Sequence, residues 1–242
     1  QITKALVDEF LQDAGLPSKG EVQDYELFSA YVMVSPHIDA AIDYENIMAG
    51  SGGDTGLDTI AIVVNGELVT DPDEIDDLSA AGATLDVHYV FVQTEIATSF
   101  STSKIGQIEY GVKDFFSPTP QLTRNDVVTS AAAISNKIME NARLFRNGNP
   151  TCSVFYVTAG RWTGDNDLSA RITSAESDID ELNLFAKVSF VPIDAREMQR
   201  RYQRLRTGTE KEFTFQNRVA FPDIENVAEA HLGYIAATDL LS

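Results

Sequence analysis

Apolar residues recur with two different spacings along this chain, and each spacing predicts one type of element. Over residues 2–14 and 21–34 they recur at intervals of three and four, which predicts two amphipathic helices. From Leu57 to Val64 the apolar run has the length of a core strand, and Asn65-Gly66 then gives a two-residue hairpin signal before Glu67–Thr70. The chain is therefore predicted to begin with two helices and a β-hairpin.

The rest of the chain alternates between helical and strand patterns. An acidic segment, Asp71–Gly82, is predicted as a loop. The elements predicted after it are a strand at 85–96, helices beginning after 103 and near 125, a strand at 152–158, a helix at 168–183, a strand at 187–193, a helix at 195–205 and a strand at 213–221. Thr123 and Asp126 resemble a capping box, and residues 227–241 fit a strand or a helix. This order of elements predicts an α/β protein.

The charge of the chain is strongly negative and unevenly distributed. Its 242 residues include 18 Lys and Arg against 37 Asp and Glu, a formal net charge of −19, which excludes a simple basic nucleic-acid coat and a binder of anionic lipid. Lys4 and Lys19 are the only Lys or Arg residues before residue 104. Such an acidic half has two interpretations, a solvated surface or a cluster that attracts divalent metal.

Compartment signals favour a cytoplasmic protein. The longest apolar runs have the length of core strands, far short of a membrane span, and the N-terminal residues, with early acids and no continuous apolar stretch, do not fit a signal peptide. Cys152 is the single cysteine, so no disulfide can form within the chain. We therefore expect no membrane partner and a cytoplasmic location.

Three polar residues near strand ends are the candidates for metal binding and catalysis. Asp58 begins a strand directly after the Gly50–Gly56 turn, which lacks the Gly-Lys-Ser/Thr ending of a phosphate-binding loop. Gln93 and Glu95 lie two residues apart on another predicted strand, so their side chains leave the same face. If that face meets Asp58, the oxygens suit Mg²⁺, which could activate a water against a phosphodiester. The alternative is that these acids are simply solvated strand ends.

Short stretches in a fixed order give the chain a family resemblance. They are Gly56-Leu57-Asp58-Thr59-Ile60-Ala61, Asn65-Gly66-Glu67-Leu68-Val69, Val90-Phe91-Val92-Gln93-Thr94-Glu95, Thr98-Ser99-Phe100, Gly111-Val112-Lys113-Asp114-Phe115-Phe116 and Ala230-His231-Leu232-Gly233-Tyr234. The element order resembles the αβββαβ core of PD-(D/E)XK nucleases, and the stretches resemble the AIPR (abortive infection phage resistance) family. The resemblance implies a restriction-endonuclease-like fold, a mixed sheet flanked by helices, with a C-terminal α/β extension.

Roles for individual residues follow from this resemblance. It places Asp58 and Gln93 at metal-binding positions, with the Thr94 carbonyl as a further ligand for Mg²⁺ or Mn²⁺. Glu26 stands where nucleases of this fold often place an additional acid; its alternative is an exposed helical glutamate. The chain departs from the family at Glu95, where a Lys usually stands, because a carboxylate cannot neutralise developing negative charge. Either Glu95 becomes a metal ligand together with Asp58, or catalysis has been lost.

The predicted function is a metal-dependent nuclease domain of a bacterial phage-defence protein; the alternative is a catalytically degenerate module of the same fold that serves recognition or assembly. We expect a single domain over 1–242, with a core at about 21–158 and an extension at about 159–242. Although nothing marks a convincing boundary, the Asn147–Pro150 turn is the best place for one. The resemblance implies the N-terminal part of a longer protein, so its C-terminal region is an expected partner. A second copy of the chain is a further candidate partner.

One basic helix is the candidate contact for nucleic acid. Within Ala195–Leu205, Arg196, Arg200 and Arg204 recur every four residues and so share one helical stripe, opposite an apolar stripe. The alternative is a solvated face whose arginines pair with nearby acids. Because this is the densest run of positive charge in an acidic chain, we predict that phosphates bind here if they bind anywhere.

Overall fold

The protein is described by a computed structural model that covers residues 2–39, 46–50, 52–146 and 148–207, together with the backbone of two later strands, 216–220 and 231–234. Its helices are α1 (Ile2–Ala14), α2 (Glu21–Val34), α3 (Pro72–Ala80), α4 (Thr102–Phe115), α5 (Asp126–Glu140), α6 (Asn166–Asp180) and α7 (Ala195–Thr207). Its strands are β1 (Thr59–Val64), β2 (Glu67–Leu68), β3 (Val87–Glu95), β4 (Thr151–Thr158), β5 (Lys187–Ile193), β6 (Gln216–Ala220) and β7 (His231–Tyr234). Short 3₁₀ turns lie at Ser35–His37 and Ala142–Leu144.

Five strands form a mixed sheet in the order β2-β1-β3-β4-β5. β1 runs antiparallel to β2 and β3, whereas β3, β4 and β5 are parallel. Met48 forms an antiparallel bridge to Thr59 on the outer side of β1. The amino end of β1 and the carboxyl ends of the three parallel strands therefore meet at one edge of the sheet, which we call the site edge.

Helices cover both faces of the sheet, which confirms the predicted α/β class. We call α1, α2 and α7 the α2 layer, because they pack on one face through a core that includes Phe28, Val90 and Tyr202. We call α3, α4, α5 and α6 the α4 layer, which packs on the other face through a core that includes Phe91 and Ile108. Alternation along each strand sends successive side chains to opposite layers.

The chain divides into two compact units. Residues 1–205 form the first and contain the five-stranded sheet with both helical layers. Residues 206–242 form the second, in which β6 and β7 pair antiparallel. The segment from 227 onward, which the sequence left between strand and helix, thus contributes a strand at His231–Tyr234.

Two local expectations are corrected. The acidic segment predicted as a loop contains α3, because Asp71 accepts a hydrogen bond from the backbone N–H of Asp73 (2.9 Å) while the Glu74 carboxylate accepts one from the N–H of Asp71 (2.8 Å). Helix α5 is capped by Asn125 rather than by Thr123, since the Asn125 side chain accepts from the N–H of Val128. Acidic first turns suit the positive end of a helix dipole.

Within the described ranges, no helix combines the length and the apolar character needed to cross a bilayer. The amphipathic helices that are present use their apolar faces to cover the sheet.

Candidate metal and nucleic-acid site

Asp58, Gln93 and Thr94 meet at the site edge. Asp58 is only 6% exposed, and its backbone N–H donates to the Val92 carbonyl (2.9 Å), which fixes it opposite Gln93. Its Oδ2 accepts hydrogen bonds from Gln93 Nε2 (2.8 Å) and from the Thr94 N–H (2.6 Å). The structure therefore brings together three of the residues that the sequence proposed as metal ligands.

The Gln93 side chain joins two oxygens that the sequence proposed as ligands. Its Nε2 donates to Asp58 Oδ2 and also to the Thr94 carbonyl oxygen (3.0 Å). Both oxygens thus point toward one spot, which the electropositive NH₂ group now fills. A rotation of the amide would present Gln93 Oε1 there instead, because the two ends of the amide differ only in donor and acceptor character.

Glu26 reaches the same edge from the α2 layer. A Cβ atom built on Gly50 would lie 3.0 Å from Glu26 Oε2 and 3.6 Å from Asp58 Oδ1, so the two carboxylates flank Gly50. The segment before β1 holds Gly50 there, because the N–H groups of Ala49 and Gly50 donate to the Asp58 carbonyl (2.8 and 3.2 Å). Glu26 therefore belongs to the site rather than to an unrelated exposed helix face.

Both carboxylates bind protons more tightly than usual. Burial raises the pKa of Glu26 to about 7, with further contributions from the negative charges of Asp58 and Asp54. Burial also raises the pKa of Asp58 to about 6, against the opposing effect of its hydrogen bonds to Thr94 and Gln93 and of the positive charge of Lys104. A bound cation would remove the cost of holding these charges together, and perturbed carboxylates in a cluster are typical of functional sites.

Glu95 takes a separate place on the same face. It lies two residues beyond Gln93 on β3, is half-buried, and accepts a hydrogen bond from the buried Tyr156 hydroxyl of β4 (2.8 Å). Among the residues that the structure describes, no three His, Cys, Asp or Glu side chains are grouped to hold a metal ion. A metal at the site edge would therefore draw on amide and carbonyl oxygens besides Asp58 and Glu26, and the role of Glu95 as a ligand stays a prediction.

The donor set fits a hard divalent cation. Asp58, Glu26, Gln93 and Thr94 offer carboxylate, amide and carbonyl oxygens, which are the ligands that Mg²⁺ and Mn²⁺ take in proteins. The missing Cβ of Gly50 leaves open the space beside Glu26 Oε2 and Asp58 Oδ1. These residues could hold a cation once the Gln93 amide turns its oxygen toward the spot that its NH₂ group now fills.

Sequence reasoning missed three contributors to the site. Gly50 and Asp54 lie in a segment that was read only as a turn, and Lys104 was not singled out. Asp54 accepts a hydrogen bond from the N–H of Gly56 (2.8 Å), which holds the turn that presents Asp58. No local pattern signals this arrangement, because it depends on Thr55 adopting a positive φ of 58° and on α4 packing against the turn.

Helix α7 begins at the site edge, since the Ala195 N–H donates to the Gly160 carbonyl just after β4 (3.1 Å). The predicted stripe is present: Arg196 and Arg204 are exposed and form no ion pair with another described residue. Arg200 is exposed but pairs with Glu197, which also holds Arg201 (2.9 Å). Met198 and Tyr202 form the opposite, buried stripe.

No family model, curated protein or solved structure matches the chain. Its function is therefore argued from the geometry of the site edge and from the chemistry that its residues allow.

Proposed function

We propose that the chain is a metal-dependent nuclease domain that hydrolyses phosphodiester bonds with Mg²⁺ or Mn²⁺. The observation that carries this proposal is the meeting of Asp58, Gln93, the Thr94 carbonyl and Glu26 around Gly50. The strand order supports a restriction-endonuclease-like core: a bridge at Met48, antiparallel β1 and β3, helices, then parallel β4. With the AIPR resemblance, we also propose a role in bacterial phage defence, in which the C-terminal region of a longer protein is a partner.

The residues of the site suit hydrolysis. A bound cation would supply Lewis-acid polarisation of a phosphoryl oxygen and a lowered pKa for the attacking water. Glu26 would accept the proton of that water through the carboxylate oxygen that does not face the cation. The water oxygen then adds to phosphorus. The bond from phosphorus to the leaving oxygen breaks, its electron pair stays on that oxygen, and solvent supplies the proton.

A second candidate function is a catalytically degenerate module that serves recognition or assembly. Glu95 favours it, because a carboxylate stands where the resemblance calls for a Lys and is already bound by the Tyr156 hydroxyl. This module would bind a cation without cleaving nucleic acid. Cation binding and cleavage, measured separately, therefore distinguish the two functions.

We expect Gly50→Ala to weaken cation binding about tenfold or more, because the new Cβ enters the space beside Glu26 Oε2 while every proposed ligand stays in place. Calorimetric titration with Mn²⁺ measures affinity, and a panel of duplex DNA, single-stranded DNA and RNA measures cleavage with Mg²⁺ or Mn²⁺. In the wild type, affinity should fall as the pH drops from 7 toward 5, since Glu26 and Asp58 then take protons. Equal affinity in the variant would place the cation elsewhere on the acidic surface.

We expect Arg196→Gln with Arg204→Gln to weaken nucleic-acid binding and to make the log–log salt slope shallower by about 1.5–2, the value for two lost phosphate contacts. The matched control is Arg143→Gln with Arg146→Gln, which removes the same charge near the amino end of β3, away from the site edge. Binding curves over a salt series measure the effect. Identical slopes in both double variants would assign Arg196 and Arg204 to the solvated surface.

A further inference from the structure

The site edge collects negative charge, and the position where the family resemblance calls for a Lys carries Glu95. Hydrolysis of a phosphodiester adds further negative charge to the phosphoryl oxygens in the transition state. Positive charge in addition to that of the proposed cation would then come from another element. Helix α4, in the layer opposite α2, packs against the turn that leads into β1.

The contacts of α4 show which of its faces lies against the turn before Asp58. A Cβ atom built on Gly111 would overlap the Thr55 carbonyl oxygen, and one built on Gly56 would lie 4.0 Å from the Gln107 carbonyl oxygen. Residues 107 and 111 of α4 therefore lie against the turn that leads into Asp58. Lys104 comes three residues before Gln107, so it continues the same face toward the amino end of the helix.

The surroundings of Lys104 leave its ammonium group available. Its side chain is half-buried and forms no ion pair with any described residue. By contrast, Lys113 of the same helix pairs with Glu109 (3.4 Å), and Arg171 pairs with the other oxygen of that carboxylate. The positive charge of Lys104 lowers the pKa of Asp58, which opposes the effect of burial on that carboxylate.

We propose that Lys104 is the catalytic cation of this site, placed on α4 rather than on β3, and that it stabilises the negative charge that develops on the scissile phosphate. The proposal rests on the proposed nuclease function and adds the group that Glu95 cannot replace. In this arrangement β1 and β3 supply ligands, α2 supplies Glu26 as a further ligand and as the base, and α4 supplies the positive charge. Lys104 takes part in no proton transfer, so the atom balance of the hydrolysis is unchanged.

The test compares Lys104→Met, Lys104→Arg and the control Lys113→Met in the whole 242-residue chain. Single-turnover cleavage at saturating Mn²⁺ should fall about 10²- to 10³-fold in Lys104→Met, with partial recovery in Lys104→Arg and no change in Lys113→Met. Calorimetry should show that Mn²⁺ binds to Lys104→Met about as tightly as to the wild type or a few-fold more tightly, because a nearby positive charge is gone. A purely structural role would weaken cation binding instead.

Each of the remaining outcomes contradicts one part of the proposal. If the wild type cleaves and Lys104→Met cleaves equally fast, the assignment of Lys104 is wrong while the nuclease function stands. If Lys104→Met loses both cleavage and Mn²⁺ binding, Lys104 supports the fold and is no catalytic cation. If the wild type cleaves no substrate of the panel with either metal, the nuclease function itself fails, and the assignment of Lys104 fails with it.

Discussion

Replacing Asp58 with Asn should abolish metal-dependent cleavage, lowering the rate about a thousandfold or more. The cation contributes several kcal/mol of charge stabilisation, and each 1.4 kcal/mol corresponds to about a factor of ten in rate. Asn keeps an oxygen where Asp58 Oδ2 accepts from Gln93 and Thr94, so the local hydrogen bonds survive. Single-turnover cleavage and Mn²⁺ calorimetry measure the loss.

Stability provides the control for this variant. Because the pKa of Asp58 is higher in the folded protein (about 6) than in the unfolded chain, the ionised carboxylate lowers the free energy of unfolding above pH 6, and this penalty vanishes below about pH 4. Metal-free Asp58→Asn should therefore be more stable than the wild type by about 2 kcal/mol at pH 8 and equally stable at pH 4. Urea unfolding at both pH values measures it. A variant that is less stable at pH 8 would mean that its loss of activity reports misfolding.

Replacing Gly111 with Ala should destabilise the protein by about 3 kcal/mol and should also weaken Mn²⁺ binding. The added Cβ would overlap the backbone carbonyl of Thr55, and backbone atoms at a packed contact move apart only by shifting the whole helix. Helix α4 would then separate from the turn that presents Asp58. Urea unfolding gives the loss of stability, and calorimetry gives the loss of cation affinity.

Gly106→Ala is the matched control, since it makes the same change five residues earlier in α4. The three atoms nearest to its Cβ would all belong to the Arg171 guanidinium (the nearest at 2.9 Å), the far end of a flexible side chain that can move aside. Ala gains about 1 kcal/mol over Gly in helix propensity, so this variant should stay within about 1 kcal/mol of the wild type. Equal destabilisation in both variants would refute the close contact between α4 and the turn.

Apolar periodicity predicted most of the helices and strands of the first unit, because the packed elements bury continuous stripes. It failed at α3, where nine residues contain only Ile75 and Leu78 as large apolar side chains and where capping by Asp71 and Glu74 favours the helix instead. The Asp71-Pro72-Asp73-Glu74 run carried that signal, since an Asp cap three residues before Glu forms a capping box.

The candidate site was predictable only in part, and for a different reason. Asp58, Gln93 and Thr94 come together through one strand pairing, which motif order suggests. Gly50 and Lys104 reach the site through tertiary packing. Gly50 follows an isolated bridge at Met48, and Lys104 lies on α4, whose Gly111 packs against the turn before Asp58. Such contacts do not depend on a periodic pattern of residues, so the sequence alone does not predict them.

Under the proposed function, the division of the site between the two helical layers would determine when cleavage can occur. Glu26 belongs to the layer that packs on one face of the sheet, whereas Lys104 belongs to the layer on the other face. A chain in which only one layer has packed on the sheet would lack either Glu26 or Lys104 at the site. Under the proposed nuclease function, newly made or partly unfolded chains would not cleave the nucleic acids of their own cell, because cleavage would need both helical layers in place.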